Sequence, residues 1–163
     1  MQAALKGFPT PAKESDLVGG DLFAMYEGTN TWLCLAIEDD EGEPDGYVVF
    51  DGPQERAAER PTFLNRGAVR GDIARLPAFD TTIEPLNDSA LPSPSPEYGN
   101  GDLVIDAAGE AWIAVVEHVR SKTLINLQSG RPGVPKAPRL FYRGWRLVLV
   151  DGKRRVELTR FGS

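Results

Sequence analysis

Residues Glu38 to Gly46 read Glu-Asp-Asp-Glu-Gly-Glu-Pro-Asp-Gly, with six carboxylates in nine positions. That density of oxygen ligands would suit a hard cation such as calcium, which binds through oxygen alone. A calcium loop needs glycine at its sixth position and a bidentate glutamate at its twelfth. Counting from Glu41, Gly46 fills the sixth place but Gly52 stands at the twelfth. The stretch therefore reads as a solvated hairpin loop. It presents Glu38, Asp39, Asp40, Glu41, Glu43 and Asp45 to a basic protein surface, or imitates a phosphate backbone.

A second stretch has the opposite character. Arg139-Leu-Phe-Tyr-Arg143-Gly-Trp145-Arg146 interleaves arginine with aromatics, and Arg154 and Arg155 follow. Such a composition grips a nucleic-acid backbone while stacking on bases. Strand alternation offers a plainer account: Trp145, Leu147 and Leu149 share one side as core, and the arginines face solvent. The whole chain is acidic, with 18 Lys+Arg against 24 Asp+Glu and a formal charge of −6, whereas dedicated nucleic-acid binders tend to be basic. The charge is also split. Residues 1–100 carry 7 basic and 18 acidic side chains; residues 101–163 carry 11 and 6. Such a split lets the halves attract each other, lets subunits pair head to tail, or gives each half its own partner.

The remaining reactive side chains are few. Cys34 and His118 are the single cysteine and histidine. One thiol cannot close an intrachain disulfide, and one histidine cannot make a multi-histidine metal site. Cys34 sits between Leu33 and Leu35, which suits core filler better than a reactive thiolate. His118, beside Glu117, could serve a hydrolase as a general base, but no serine or cysteine is arranged near it in sequence. GxSxG, GxGxxG, HExxH and phosphate-loop patterns are absent. No cofactor or metal is expected. Met1–Val18 lacks the apolar core of a signal peptide, and no apolar run has the length of a membrane span, so a cytoplasmic setting is expected.

These residues must be held by short strands. Seventeen Gly and 13 Pro in 163 residues break up long helices; only Gln54–Arg60 is helix-compatible, and Pro61 ends it. Runs bounded by turn residues predict strands over Asp21–Glu27, Thr31–Glu38, Tyr47–Asp51 and Gly71–Leu76. Asp102–Ala107, Ala111–His118, Thr123–Leu127, Trp145–Val150 and Lys153–Arg160 follow in the same way. Asp151-Gly152 marks a tight hairpin between the last two. In the final strand Val156 and Leu158 should face one way, and Arg155, Glu157 and Thr159 the other.

The pattern also repeats. Gly20-Asp21-Leu22, Gly28 and Trp32 precede one apolar strand; Gly101-Asp102-Leu103, Gly109 and Trp112 precede another. Tyr47–Pro53 aligns more loosely with Leu124–Gly130, and Cys34 falls opposite Ala114. Two diverged copies of one unit fit this pattern. Each copy, opening on a Gly-Asp turn and carrying Trp in its second strand, resembles an SH3-like small barrel. The expectation is an all-β protein of two tandem SH3-like units with little helix. Residues 1–19 form an extension, 20–85 the acidic first unit, 86–100 a Pro/Ser-rich linker and 101–163 the basic second unit. Leu91-Pro-Ser-Pro-Ser-Pro96 favours extended backbone, which makes that linker semi-rigid.

The function expected from these features is non-enzymatic protein binding. A small bacterial or phage adaptor, inhibitor or toxin-neutralising protein would act through its acidic unit on a basic partner surface. Three alternatives stand beside it: nucleic-acid contact through Arg139, Arg143, Arg146, Arg154 and Arg155; a structural subunit of a viral or other assembly; and a small hydrolase using His118. Homo-oligomers through acidic–basic contact fit the charge split, and no membrane partner is expected.

Overall fold

A computed structural model describes residues 9–53, 60–67, 71–77, 81–86, 98–118 and 121–162. Thirteen strands form among them: β1 (Thr10–Ala12), β2 (Leu22–Glu27), β3 (Asn30–Glu38), β4 (Pro44–Asp51), β5 (Thr62–Asn65), β6 (Asp72–Arg75), β7 (Thr81–Pro85), β8 (Leu103–Ile105), β9 (Ala111–His118), β10 (Ser121–Asn126), β11 (Leu140–Tyr142), β12 (Trp145–Asp151) and β13 (Arg154–Phe161). The single helical turn among the described residues is the 3-10 turn Glu14–Asp16. The helix-compatible stretch falls mostly on residues 54–59, and most of the Pro-rich linker on 87–97; both lie outside the described residues.

The strands build three antiparallel sheets, ordered β1-β6-β2-β3-β4-β5, β10-β9-β8-β11 and β13-β12-β7. Among the described residues none closes on itself, so the two expected SH3-like small barrels do not form as closed barrels there. The third sheet joins the halves, because β7 from the first half pairs along β12 from Leu149↔Thr81 to Trp145↔Pro85. The main core joins them too. Leu22, Leu35, Val48 and Phe50 pack in one buried cluster with Leu103, Ile113, Ile125 and Trp145. Trp145 is fully buried, stacks on Phe161 with ring centroids 4.6 Å apart, and donates its indole N–H to the Gly101 carbonyl at 2.8 Å.

The Gly-Asp corners of the two halves have the same geometry. Gly20 N–H donates to the Ala36 carbonyl and Ala36 N–H to the Asp21 carbonyl, both at 2.9 Å. Gly101 and Ala114 repeat this at 2.7 Å, and Ala114 and Asp102 at 2.9 Å. Each aspartate carboxylate also accepts the N–H three residues back, Val18 at 2.9 Å and Gly99 at 2.7 Å. The glycines stand at φ +91° and +88°, a left-handed conformation that other residues rarely adopt. From these corners Leu22, Leu35 and Val48 stand side by side in the first half, as Leu103, Ile113 and Ile125 do in the second.

The tryptophans do not share this equivalence. Trp32 stands opposite Met25 and Trp112 opposite Val104; these partners are five and three residues beyond their corner glycines. Ala36, not Cys34, therefore takes the place of Ala114. A tight turn at Gly28-Thr29 joins β2 to β3, whereas Asp106–Glu110 joins β8 to β9, and the longer loop displaces the register by two residues. A second departure lies in β13. Leu147 pairs with Thr159 but Val148 pairs with Glu157, which leaves Leu158 as the extra residue of a bulge. The expected alternation reverses there, and Thr159 and Phe161 become buried.

Candidate functional site

The acidic hairpin lies between β3 and β4. Asp39 shapes it, accepting the N–H groups of Glu41 and Glu43 at 2.9 Å each on one carboxylate oxygen. Its own N–H donates to the Glu43 carbonyl at 2.9 Å, and Gly42 N–H donates to the Asp39 carbonyl at 3.1 Å. An aspartate that satisfies the turn's N–H donors in this way is the reason the loop has a defined shape. Glu38, at the base, faces the second half: it accepts Gly19 N–H at 2.9 Å and pairs with Arg131 at 3.1 Å. Asp40, Glu41, Glu43 and Asp45 are exposed. Of the six carboxylates singled out in the sequence, two hold the hairpin and four face water.

The arginines are arranged differently. Residues directly opposite in a ladder share a face of the sheet, so Glu84 of β7, Arg146 of β12 and Arg160 of β13 lie on the outer face of the three-stranded sheet. Beyond the bulge, Glu157 and Arg155 join them. Arg146 pairs with Glu84 at 2.9 Å and with Glu157 at 3.4 Å, Arg160 pairs with Glu157 at 2.8 Å, and Arg155 pairs with Glu84. These side chains form a lattice on the face that carries Val148, which is only 3% exposed. The Glu157 carboxyl is held below the usual glutamate range, chiefly by hydrogen bonds from Arg160, with Arg146 adding to them against the opposing effect of burial.

Of the five candidate arginines, Arg146 and Arg155 thus belong to internal ion pairs, and Arg139 donates from Nε to the Pro135 carbonyl at 2.8 Å. Arg143 and Arg154 are exposed but flank opposite ends of β12, about 20 Å apart by strand rise. No single basic track unites the five. Among the described residues three ion pairs instead cross between the halves, Glu38–Arg131, Glu84–Arg146 and Glu84–Arg155, which is the mutual attraction that the split allows.

His118 ends β9 opposite Ser121; its side chain lies outside the described residues. The Cys34 thiol is buried, and burial pushes its pKa up to about 12, which removes the thiolate that nucleophilic chemistry requires.

Two features were not singled out in the sequence. The buried Asp106 accepts N–H groups from Ala108 at 2.9 Å, Glu110 at 3.0 Å and Lys136 at 3.2 Å, and the Trp112 indole at 3.3 Å. Burial works to raise its pKa, but these donors together hold it below the ordinary value. Its place before Ala107-Ala108-Gly109 is an aspartate-turn signal that could have been read. The other feature is a cleft of about 610 Å3 bordered by both halves, with Leu22, Phe50, Ile83, Leu127 and Leu147 among its apolar lining. Glu110 is its one titratable group among the described residues. No sequence signal marks this cleft, because it exists only where three sheets meet. Comparison with known proteins finds no family model, curated protein or solved structure that matches the chain.

Proposed function

We propose that the chain is a non-enzymatic protein-binding protein whose acidic hairpin docks on a basic surface of its partner. The observation that carries this reading is the disposition of charge. Asp40, Glu41, Glu43 and Asp45 are exposed on a turn held by Asp39, while Arg146 and Arg155 of the basic half are paired internally. A preshaped hairpin loses little conformational freedom on docking, and its field steers a basic partner toward it. The adaptor, inhibitor and toxin-neutralising roles all belong to this reading, in a bacterial or phage cytoplasm. Descent of the two halves from one duplicated unit accompanies it, supported by the matching corners at Gly20-Asp21 and Gly101-Asp102.

The test compares the parent with D40N/E41Q/E43Q/D45N in capture from a bacterial lysate at low and high salt. The expected result is a basic protein retained by the parent, released by salt and missing from the variant. Equal retention by both would refute the hairpin as the contact. Tight, salt-dependent DNA binding by the intact parent would favour the arginine-based alternative.

A further inference from the structure

The three-stranded sheet ends on β13, which pairs with β12 on one side only among the described strands. Its last residues are covered. The Arg60 guanidinium reaches the Thr159 hydroxyl at 3.5 Å and the Arg160 carbonyl at 3.4 Å, and lies 5.7 Å from the centre of the Phe161 ring. Arg154 to Leu158 remains as an edge with no described neighbour. Val156, the middle residue of this span, is an exposed apolar side chain at 38%, flanked by Arg155 and Glu157.

From this we infer that β13 is a homodimerisation edge, pairing antiparallel with β13 of a second copy about a two-fold axis through Val156. That register sets Val156 against the partner's Val156, Arg155 against the partner's Glu157, and Glu157 against the partner's Arg155. Both charged side chains lie on the outer face, so each opposed pair meets on the same side of the joined sheet. The neighbouring registers that keep the faces matched set Arg155 on Arg155 or Glu157 on Glu157, and like charges directly opposite are destabilising. Charged edge strands ordinarily deter pairing. Here the signs alternate, so the charges that repel a wrong register select the strand's own copy. The axis also centres on the span that has no described neighbour. Each Arg155, already paired with Glu84, would gain the partner's Glu157, and the two lattices would become one across a six-stranded sheet.

The contact is a single strand edge, so a weak, concentration-dependent dimer is expected. Sedimentation of the full chain from about 1 to 500 µM reads it directly. R155E alone and E157R alone should each weaken dimerisation by roughly tenfold or more, because each opposes like charges twice. An equimolar mixture of the two should recover it as a heterodimer, since both cross-strand pairs then carry opposite charges. A second variant does not depend on the lattice. V156C places two thiols on the axis, where Cα atoms of opposed strand residues lie about 4.5–5.5 Å apart, within disulfide reach. An added disulfide oxidant, which takes up the two electrons and two protons, should couple V156C into a covalent dimer much faster than V18C. A parent that stays monomeric throughout, single variants that dimerise as tightly as the parent, a mixture that recovers nothing, or equal coupling of V156C and V18C would each overturn the proposal.

Discussion

The hairpin between β3 and β4 and the outer face of β7-β12-β13 carry opposite runs of charge in the sequence but use them in opposite ways. On the hairpin, Asp39 turns inward to the backbone and four carboxylates face water. On the sheet, ladder register brings Glu84 and Glu157 among Arg146, Arg155 and Arg160, and the charges neutralise one another on the face that carries Val148. A tally along the chain counts both regions as strongly charged. The folded surface presents only the first as a field of one sign, because register across strands decides which charges find partners. The hairpin therefore leaves a field of one sign open to solvent, and the sheet uses its charge to hold its own strands.

Glu84 is the point where this contrast is most easily broken. It pairs with Arg146 and Arg155 at once, so Glu84→Ala takes the shared carboxylate from two neighbouring cations and leaves Arg146 with Glu157 alone. The pairs are partly exposed, which limits their worth, but a shared carboxylate at the centre of a network contributes more than an isolated surface pair. A loss of about 1–2 kcal/mol in denaturant unfolding is expected. A gain in salt-sensitive DNA binding over the parent should accompany it. A variant as stable as the parent, or one that gains no DNA affinity, would show that the lattice does not mask the arginines.

On the other side of the comparison, Asp39→Ala removes the acceptor for the Glu41 and Glu43 N–H groups. About 1 kcal/mol should be lost, with faster amide exchange confined to the hairpin. Exchange that spreads evenly over β3 and β4 would mean that Asp39 supports the sheet rather than the turn.

Much of the first region was legible in sequence, and little of the second. The strands bearing the hairpin announced themselves through apolar runs bounded by Asp, Gly and Pro, and β2, β3, β4, β9, β12 and β13 lie near their expected bounds. The strands missed are β1, β5, β7 and β11, of three to five residues each; they are too short for a periodic signal and exist because a neighbour offers a ladder. β7 decides the fate of the arginines, since it supplies Glu84. The Leu158 bulge was equally hidden, because a bulge is a property of two strands and sequence alternation describes only one. The tryptophan alignment failed for a related reason. Matching letters aligned Trp32 with Trp112, whereas backbone bonding aligned Ala36 with Ala114 and let the turn length absorb the difference. The Gly-Asp corners were readable because they are local and depend on a left-handed glycine.

Acid sharpens the contrast at a smaller scale. The Glu157 carboxyl is held below its ordinary range by Arg160 and Arg146. A carboxyl that binds its proton more weakly when folded adds stability above its unfolded pKa, and that stability is lost as pH falls through the lowered folded value. Asp106 acts in the same direction. The melting temperature should therefore drop as pH falls below about 5, and E157Q should drop less steeply than the parent. Parallel curves for the two proteins would remove Glu157 from the lattice's energetics.

The smallest expected effect completes the comparison. D40N/E41Q/E43Q/D45N raises the formal charge by four from −6 while leaving Asp39 and Glu38 to hold the turn. Exposed carboxylates with no described partner contribute little to folding, and crowding four of them beside Glu38 and Asp39 adds mutual repulsion that neutralisation relieves. Stability should stay within about 0.5 kcal/mol of the parent, with any change toward greater stability, and high salt should narrow the difference further. The same variant should lose the partner, so binding and folding separate at this one element. A drop in stability comparable to that of Glu84→Ala would mean that the hairpin carboxylates hold the fold together as the sheet's do, and the distinction between the two regions would fail.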